Sequence, residues 1–391
     1  MSATTRQAWR VSDWQPTPRA LVLVAVAGVL VKFLPIWVAG HWFDGLSVAL
    51  CHWDCFWYVH TATVGYDLQP WGNPPSEDAA DWAFFPLYAI AMRAVHAVSG
   101  LSIVKSGILV SVLCFTGFLI ASLEYRRITR PGSGQLGWIA FALTFPFTFY
   151  FFVPYSESLY AFIATLVLIG IVAHRPSLTG ISGALLSATR PTGILLMPCI
   201  AVERGLAAWR RVRAMRRRLS ALEAASVLGD VLLPLAMVPL GLMTFMAYLY
   251  LRTGDALAFI HVQVAWNRHF SSPLAMLALG YHQWDWYRVS TSTSTSYGTA
   301  AALVGFAVAG YLALRRRWME AYFCTASLLL AISTGLDSIP RYLIGNPAFL
   351  FAVYDLVGWL GPRFRAVVLT LFALTQAWLV WLWFGNVNIL V

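Results

Sequence analysis

The first feature of this sequence suited to chemistry is an aspartate set among indole and phenol rings. In the stretch Cys51 to Asp67, CHWDCFWYVHTATVGYD, Asp54 is flanked by Trp53, Trp57 and Tyr58. Such rings stack on sugar faces, and a carboxylate between them can accept a hydroxyl proton as a general base. The plainer alternative is an interfacial aromatic belt beside a solvated acid. Cys51, His52, Asp54 and Cys55 do not match a recognised ligand spacing, so no metal is expected there. Three further segments carry isolated charges in apolar surroundings. Glu157 follows Pro154 in FYFFVPYSESLY, and an acid at membrane depth is costly and usually functional, although a helix N-terminus also favours one. Arg190 interrupts an apolar run in SATRPTG, and Arg341 follows Pro340 in DSIPRYLIGNP. A guanidinium in either place suits a phosphate, while Arg341 has an alternative partner in Asp337, four residues earlier.

The chain that must position these groups has 391 residues, of which 59% are hydrophobic and 11% charged, with a mean hydropathy of +0.67. Soluble domains carry about 25% charged residues, so this composition with repeated apolar runs implies an all-α polytopic membrane protein. No stretch is long and polar enough for a sizeable soluble domain, and one membrane-embedded domain over residues 1–391 is expected. The net charge of +10 fits arginine-rich cytoplasmic loops rather than nucleic-acid binding. Five cysteines, an odd number scattered mostly through apolar segments, do not make a disulfide framework.

Charge asymmetry sets a topology. Arg6, Arg10 and Arg19 precede an apolar run from Ala20 to Val38, read as an uncleaved first span with its basic end inside. The segment 40–98 then emerges outside. It holds Asp44, Asp54, Asp67, Glu77, Asp78 and Asp81 against the single base Arg93, which makes it the first place to look for chemistry. Ala83 to Val98 is short and interrupted by Pro86, Arg93 and His96, so it reads as a helix lying on the outer interface. Ile103 to Ser122 returns to the basic EYRRITR, Gly137 to Val153 runs outward, and Leu159 to Ala173 runs back. Gly180 to Ala188 and Gly193 to Val202 read as a hairpin turning at Arg190, followed by an arginine-rich cytoplasmic interfacial helix within 203–225. Spans over Val227 to Leu251, Thr299 to Leu314, Met319 to Leu336, Tyr342 to Leu360 and Val367 to Phe384 complete the chain, with a second outer loop at 252–297.

Together and in this order, HWDxxWY with GYD, AFFPLY, PYSESLY, TRPTG and IPRY resemble the PIG-V type mannosyltransferases, the GPI-anchor enzymes and their bacterial relatives. The resemblance covers roughly Trp42 to Pro347. It implies a GT-C type transmembrane helix bundle with interfacial helices in the first outer loop. It also implies a polyprenyl-phosphate-mannose donor, a glycolipid or glycan acceptor, membrane lipids as surroundings, and no cofactor or metal. Asp54 matches the position of the family's catalytic aspartate. In that scheme Arg341, and after it Arg190, hold the donor phosphate. His52, Trp53, Trp57, Asp67, Tyr155 and Glu157 complete the substrate site, and the enzyme sits in a bacterial inner membrane with that site facing the periplasm or exterior. The competing expectation is a polytopic lipid or solute transporter or flippase, which calls for ionisable residues at the midplane in paired broken helices. No internal repeat is evident, and the acids gather in one outer loop.

The topology makes its own prediction. Single cysteines at Asn73 and Ala214, in a chain freed of reactive native thiols, should react with an impermeant thiol reagent from opposite sides of the membrane. Labelling from one side would overturn it.

Overall fold

The computed structural model describes residues 17–43, 45–71, 79–131, 134–215, 220–266, 268–283 and 292–387; Asp44, Glu77 and Asp78 lie outside them. All regular structure in this set is helical, eighteen α-helices and four short 3-10 helices. Six stretches are long and apolar enough to cross a bilayer: Pro18–Gly40, Ile103–Thr129, Pro191–Ala214, Ala221–Thr253, Thr295–Leu314 and Pro362–Phe384. In lipid a spanning backbone must satisfy its own hydrogen bonds, and helices do so within one segment. The chain is an all-α, multi-pass integral membrane protein.

Helix α1, Pro18–Gly40, starts where the Thr17 hydroxyl accepts from the Ala20 amide and Pro18 occupies the first turn. Within residues 40–98 the described chain forms short helices: α2 (Leu46–Leu50), α3 (Asp54–Val64), a 3-10 turn at Asp81–Ala83 and α4 (Pro86–Ser99). Cys51 and Cys55 are joined by a disulfide, with Cα atoms 5.2 Å apart. The cysteines are therefore not all unbridged; this pair straddles a kink that brings its ends together. At that kink Trp53 takes φ 44°, uncommon for a bulky side chain, and α3 begins at Asp54.

Helix α5, Ile103–Thr129, passes straight through the expected end at Ser122 into the basic segment. The span expected over Gly137 to Val153 stops early. Helix α6 covers only Gln135–Thr144, because Pro146 supplies no amide proton, and Pro146–Phe151 continues as 3-10 helix. Helices α7 (Glu157–Val172) and α8 (Pro176–Thr189) follow, and α8 breaks at Arg190, whose backbone is extended (φ −157°, ψ 148°). After a 3-10 turn at Pro191–Leu196, α9 runs unbroken from Met197 to Ala214. The arginine-rich segment is thus the second half of α9 and not a separate interfacial helix. Arg204 is buried there, donating to the Gly170 carbonyl at 2.7 Å and to Thr179 Oγ1 at 3.0 Å. Residues 216–219 lie outside the described set.

Helices α10 (Ala221–Met237) and α11 (Leu240–Thr253) make up the next span. The segment 252–297 also carries helix: α12 (Ala258–His261), a 3-10 turn at Val262–Trp266, and α13 (Pro273–His282), with 284–291 outside the described set. Then come α14 (Ser292–Leu314) and α15 (Trp318–Ile332). The span expected from Tyr342 to Leu360 is two helices, α16 (Ile339–Gly345) and α17 (Pro347–Gly358). Pro347 forces the residue before it out of helical geometry, and the Asn346 side chain caps α17 by accepting from the Ala348 amide at 3.0 Å. Helix α18, Pro362–Phe384, closes the order.

Helix α7 is the centre of the bundle, buried along nearly its whole length and packed between α5 and α8. Close packing also governs the α8–α11 crossing, where a Cβ on Gly241 meets the Ala184 carbonyl oxygen at 2.0 Å. Gly241→Ala should cost about 1–3 kcal/mol of stability in thermal unfolding in detergent. Gly229→Ala, in α10 with no heavy atom within 4 Å of the new methyl, should leave the midpoint unchanged or higher.

Candidate active site

The segment Tyr155-Ser156-Glu157 enters α7 just after the 3-10 turn, and each of its side chains binds a different part of the chain. The Tyr155 hydroxyl donates to the His52 carbonyl at 2.9 Å and accepts from the Asp54 amide at 3.2 Å, fixing the start of α3. Ser156 Oγ accepts from the Tyr58 hydroxyl at 2.9 Å and from Arg190 Nε at 3.0 Å. Glu157, with 0% exposure, receives two guanidiniums on Oε1: Arg190 Nη2 at 2.7 Å and Arg341 Nε at 2.8 Å. Arg341 then reaches on through Nη2 to Asp54 Oδ2 at 2.7 Å. Two carboxylates and two guanidiniums, drawn from α3, α7, the α8 break and α16, thus form one connected, neutral row.

Arg341 is buried, and its guanidinium lies over the Tyr155 ring at 4.4 Å. Arg190 sits near the Tyr342 and Tyr160 rings at 5.5 and 5.7 Å. Ring faces and paired carboxylates together make the buried charges tolerable. Arg341 therefore turns toward Asp54 and Glu157, whereas Asp337 accepts from Thr295 Oγ1 at 3.3 Å. The Asp54 side chain is 27% exposed, and among the described residues nothing donates to its Oδ1.

The row borders a cavity of about 430 Å³. Asp54, Glu157, Arg190 and Arg341 line it together with Tyr58, Phe84, Trp266 and Arg268. Its far wall is apolar, with Leu242, Phe259, Ile260 and Leu330. Arg268, between α12 and α13, donates to Ser338 Oγ at 3.0 Å and gives the lining one more cation than carboxylates.

The structure thus gathers Asp54, Glu157, Arg190, Arg341 and Tyr155, and of the two roles open to Tyr155 and Glu157, ordering the pocket or binding sugar hydroxyls, their contacts match the first. Tyr155 spends its hydroxyl on the loop backbone rather than on a sugar. Glu157 is a buried bridge whose Oε1 is already doubly engaged. Trp57 contributes indirectly, stacking on Phe84 at 5.8 Å and meeting Trp266 edge-on at 5.4 Å. His52 and Trp53 do not reach the cavity. They pack against Trp383 of α18, at 5.7 and 4.8 Å, and burial holds the His52 ring below the usual histidine range.

Asp67 belongs to a different cluster. His60 Nε2 lies 3.0 Å from Asp67 Oδ1, the Asp67 amide donates to Asp81 Oδ1 at 3.1 Å, and Thr61 donates to Asp81 Oδ2 at 2.9 Å. Burial pushes the Asp81 carboxyl up to about 6 despite those donors. Ligand atoms of His60, Asp67 and Asp81 lie within 4.8 Å of one another, and their mutual hydrogen bonds account for that closeness by fastening the loop after α3 to the turn before α4. Sequence reasoning singled out Tyr58 beside Asp54, but it missed this latch, Ser156 behind the row, and Trp266 and Arg268 at the cavity, none of which carried a local signal.

No protein-family model matches the chain, and no curated protein matches it either.

Removing one member of a buried ion pair leaves the other unpaired, at a cost of about 3–5 kcal/mol. Glu157→Gln should accordingly lower the unfolding midpoint sharply in detergent, while Asp54→Asn, at the exposed end of the row, should shift it little. Equal midpoints for Glu157→Gln and wild type would contradict the bridging role.

Proposed function

We propose that this chain is an inverting glycosyltransferase. It takes mannose from a polyprenyl-phosphate-mannose donor and passes it to a glycolipid or glycan acceptor, forming an α-mannoside. The observation that carries this reading is Asp54 itself, a partly exposed carboxylate at the wall of a cavity of about 430 Å³, with one oxygen held by Arg341 and the other receiving no donor among the described residues. That volume lies in the range of small-molecule sites, about 300–1,000 Å³.

In the proposed reaction Asp54 takes the proton of the acceptor hydroxyl as its oxygen forms a bond to the anomeric carbon. The bond from that carbon to the phosphate oxygen breaks on the opposite face, and its electron pair leaves with the polyprenyl phosphate. The Arg341 contact holds and aims the Asp54 carboxylate. The anionic leaving group needs cations, and here the site changes the assignment suggested by the sequence. Arg190 and Arg341 already share Glu157, whereas Arg268 lines the same cavity with a serine hydroxyl as its partner. Arg268 is therefore the first phosphate ligand in this scheme, with the outer edge of Arg341 beside it. Phe84 and Trp266 offer ring faces to the sugar, and the apolar wall suits the start of the polyprenyl tail.

The reading places the cavity on the extracytoplasmic side of a bacterial inner membrane. The Cys51–Cys55 disulfide supports that side, since such bonds persist in oxidising compartments. Transport is the competing reading, and the helix breaks at Arg190 and Asn346 speak for it.

The two readings separate in one experiment. Purified protein in liposomes receives labelled polyprenyl-phosphate-mannose and a membrane lipid extract as acceptor. Wild type should form a new labelled mannoside, and Asp54→Asn should slow this by about 10²- to 10⁴-fold with unchanged folding. Movement of label across the bilayer with no new glycosidic bond would favour transport, and full turnover by Asp54→Asn would remove the proposed base.

A further inference from the structure

A second charged cavity lies at the other end of α7. Glu157 is the first residue of that helix and Val172, its last, borders the second cavity, so at 1.5 Å per residue the two sites lie about 23 Å apart. This cavity measures about 680 Å³ and sits among the C-terminal end of α5, the α14–α15 turn and the α17–α18 turn. Its lining holds the guanidiniums of Arg126, Arg130, Arg315, Arg316, Arg317 and Arg365 against the carboxylates of Glu203, Glu320 and Asp355.

The excess of positive charge extends into the buried part of the wall. Asp355 is shared by Arg126 at 3.2 Å, Arg130 at 3.1 Å and Arg317 at 2.8 Å. Glu320 is shared by Arg130 at 3.3 Å, by Arg317, and by the Tyr125 hydroxyl at 2.8 Å. Three guanidiniums thus divide two carboxylates. Among the described residues, Arg126, with 1% exposure, keeps a buried Nε that has no hydrogen-bond partner, and Arg130 Nη1 and Arg365 Nε are buried and unpartnered as well. Unsatisfied charged donors are expensive when buried, and a phosphate supplies several acceptor oxygens at once. At the mouth, Trp318 and Trp359 are each 65% exposed, the placement of indoles at a lipid headgroup layer. Topology alone calls for arginines in such loops; it does not call for a walled cavity or for buried donors left open.

We propose that this cavity is a binding site for a phosphate-bearing anion, with the headgroup of an anionic membrane lipid as its occupant. Basic pockets between spanning helices hold such headgroups. The site is separate from the Asp54 cavity and does not depend on the glycosyltransferase reading.

The test uses the full chain purified in neutral detergent, titrated with phosphatidylglycerol, phosphatidylcholine or inorganic phosphate, and read by native mass spectrometry and unfolding midpoint. Phosphatidylglycerol should bind and raise the midpoint while phosphatidylcholine does neither. Arg126→Gln should weaken phosphatidylglycerol binding about tenfold. Because Arg126 is deeply buried, Arg365→Gln with Arg315→Gln at the half-open and exposed wall gives an independent variant with the same expected direction. The pair Arg210→Gln and Arg213→Gln, exposed arginines of α9 outside the cavity, should bind as wild type. If inorganic phosphate raises the midpoint and displaces the lipid, the anion site stands with a soluble occupant. Equal binding of the two lipids, unchanged binding in both cavity variants, or an equal loss in the α9 control would overturn the proposal.

Discussion

Everything around the first cavity depends on one carboxylate oxygen. Glu157 Oε1 sits where α7 begins, at the middle of the bundle, and two guanidiniums converge on it within 2.8 Å. A single buried acid between two arginines would leave one positive charge unbalanced, and Asp54 corrects this from the far side of Arg341. The row is therefore neutral only as a whole, and at its buried centre losing Glu157 leaves two guanidiniums in an apolar surround that cannot hydrate them, whereas Asp54 lies at its part-exposed end. The same requirement fixes geometry. Helix α3, the α8 break and α16 must each deliver a group to one place, so their relative positions are set by electrostatics as well as by packing.

Three consecutive residues do this work because they leave the 3-10 turn in different directions. Tyr155 holds the backbone ahead of Asp54, Ser156 joins Tyr58 to Arg190, and Glu157 joins Arg190 to Arg341. A regular helix would place neighbouring side chains about 100° apart on one cylinder. Here Pro146 shortens α6 and the chain enters α7 through a non-helical turn, so the three side chains reach separate partners. The broken span is the structural condition for the site.

Much of this was legible in the sequence, and the remainder was hidden for physical reasons. Hydropathy and arginine placement give the membrane class and most helices, because the bilayer demands apolar length and internally bonded backbone. Asp54, Glu157, Arg190 and Arg341 stand out because a charge in an apolar run needs a reason. Which charge pairs with which is not local information: Arg341 has Asp337 four residues away yet binds Asp54, 287 residues away. Hydropathy also averages over proline, so the breaks at Pro146 and Pro347 were read as continuous spans. The arginines of α9 looked like a surface helix because composition does not register that Arg204 is tied into the α7–α8 junction. His52 and Trp53 were grouped with Asp54 by adjacency, but the kink at Trp53 separates them from the cavity. The deep cavity at the far end of α7 was invisible for a similar reason, since its arginines come from three separate segments and each looks ordinary alone.

The wide separation of these partners has a consequence for biogenesis. Arg190 follows Glu157 closely, so the two can meet as a neutral pair as soon as α7 and α8 are in the membrane. Asp54 has to wait for Arg341, and during synthesis every helix from α4 to α15 is made before that guanidinium exists. The docking of α16 thus completes the row, joining the start of the chain to its last third at the wall of the cavity.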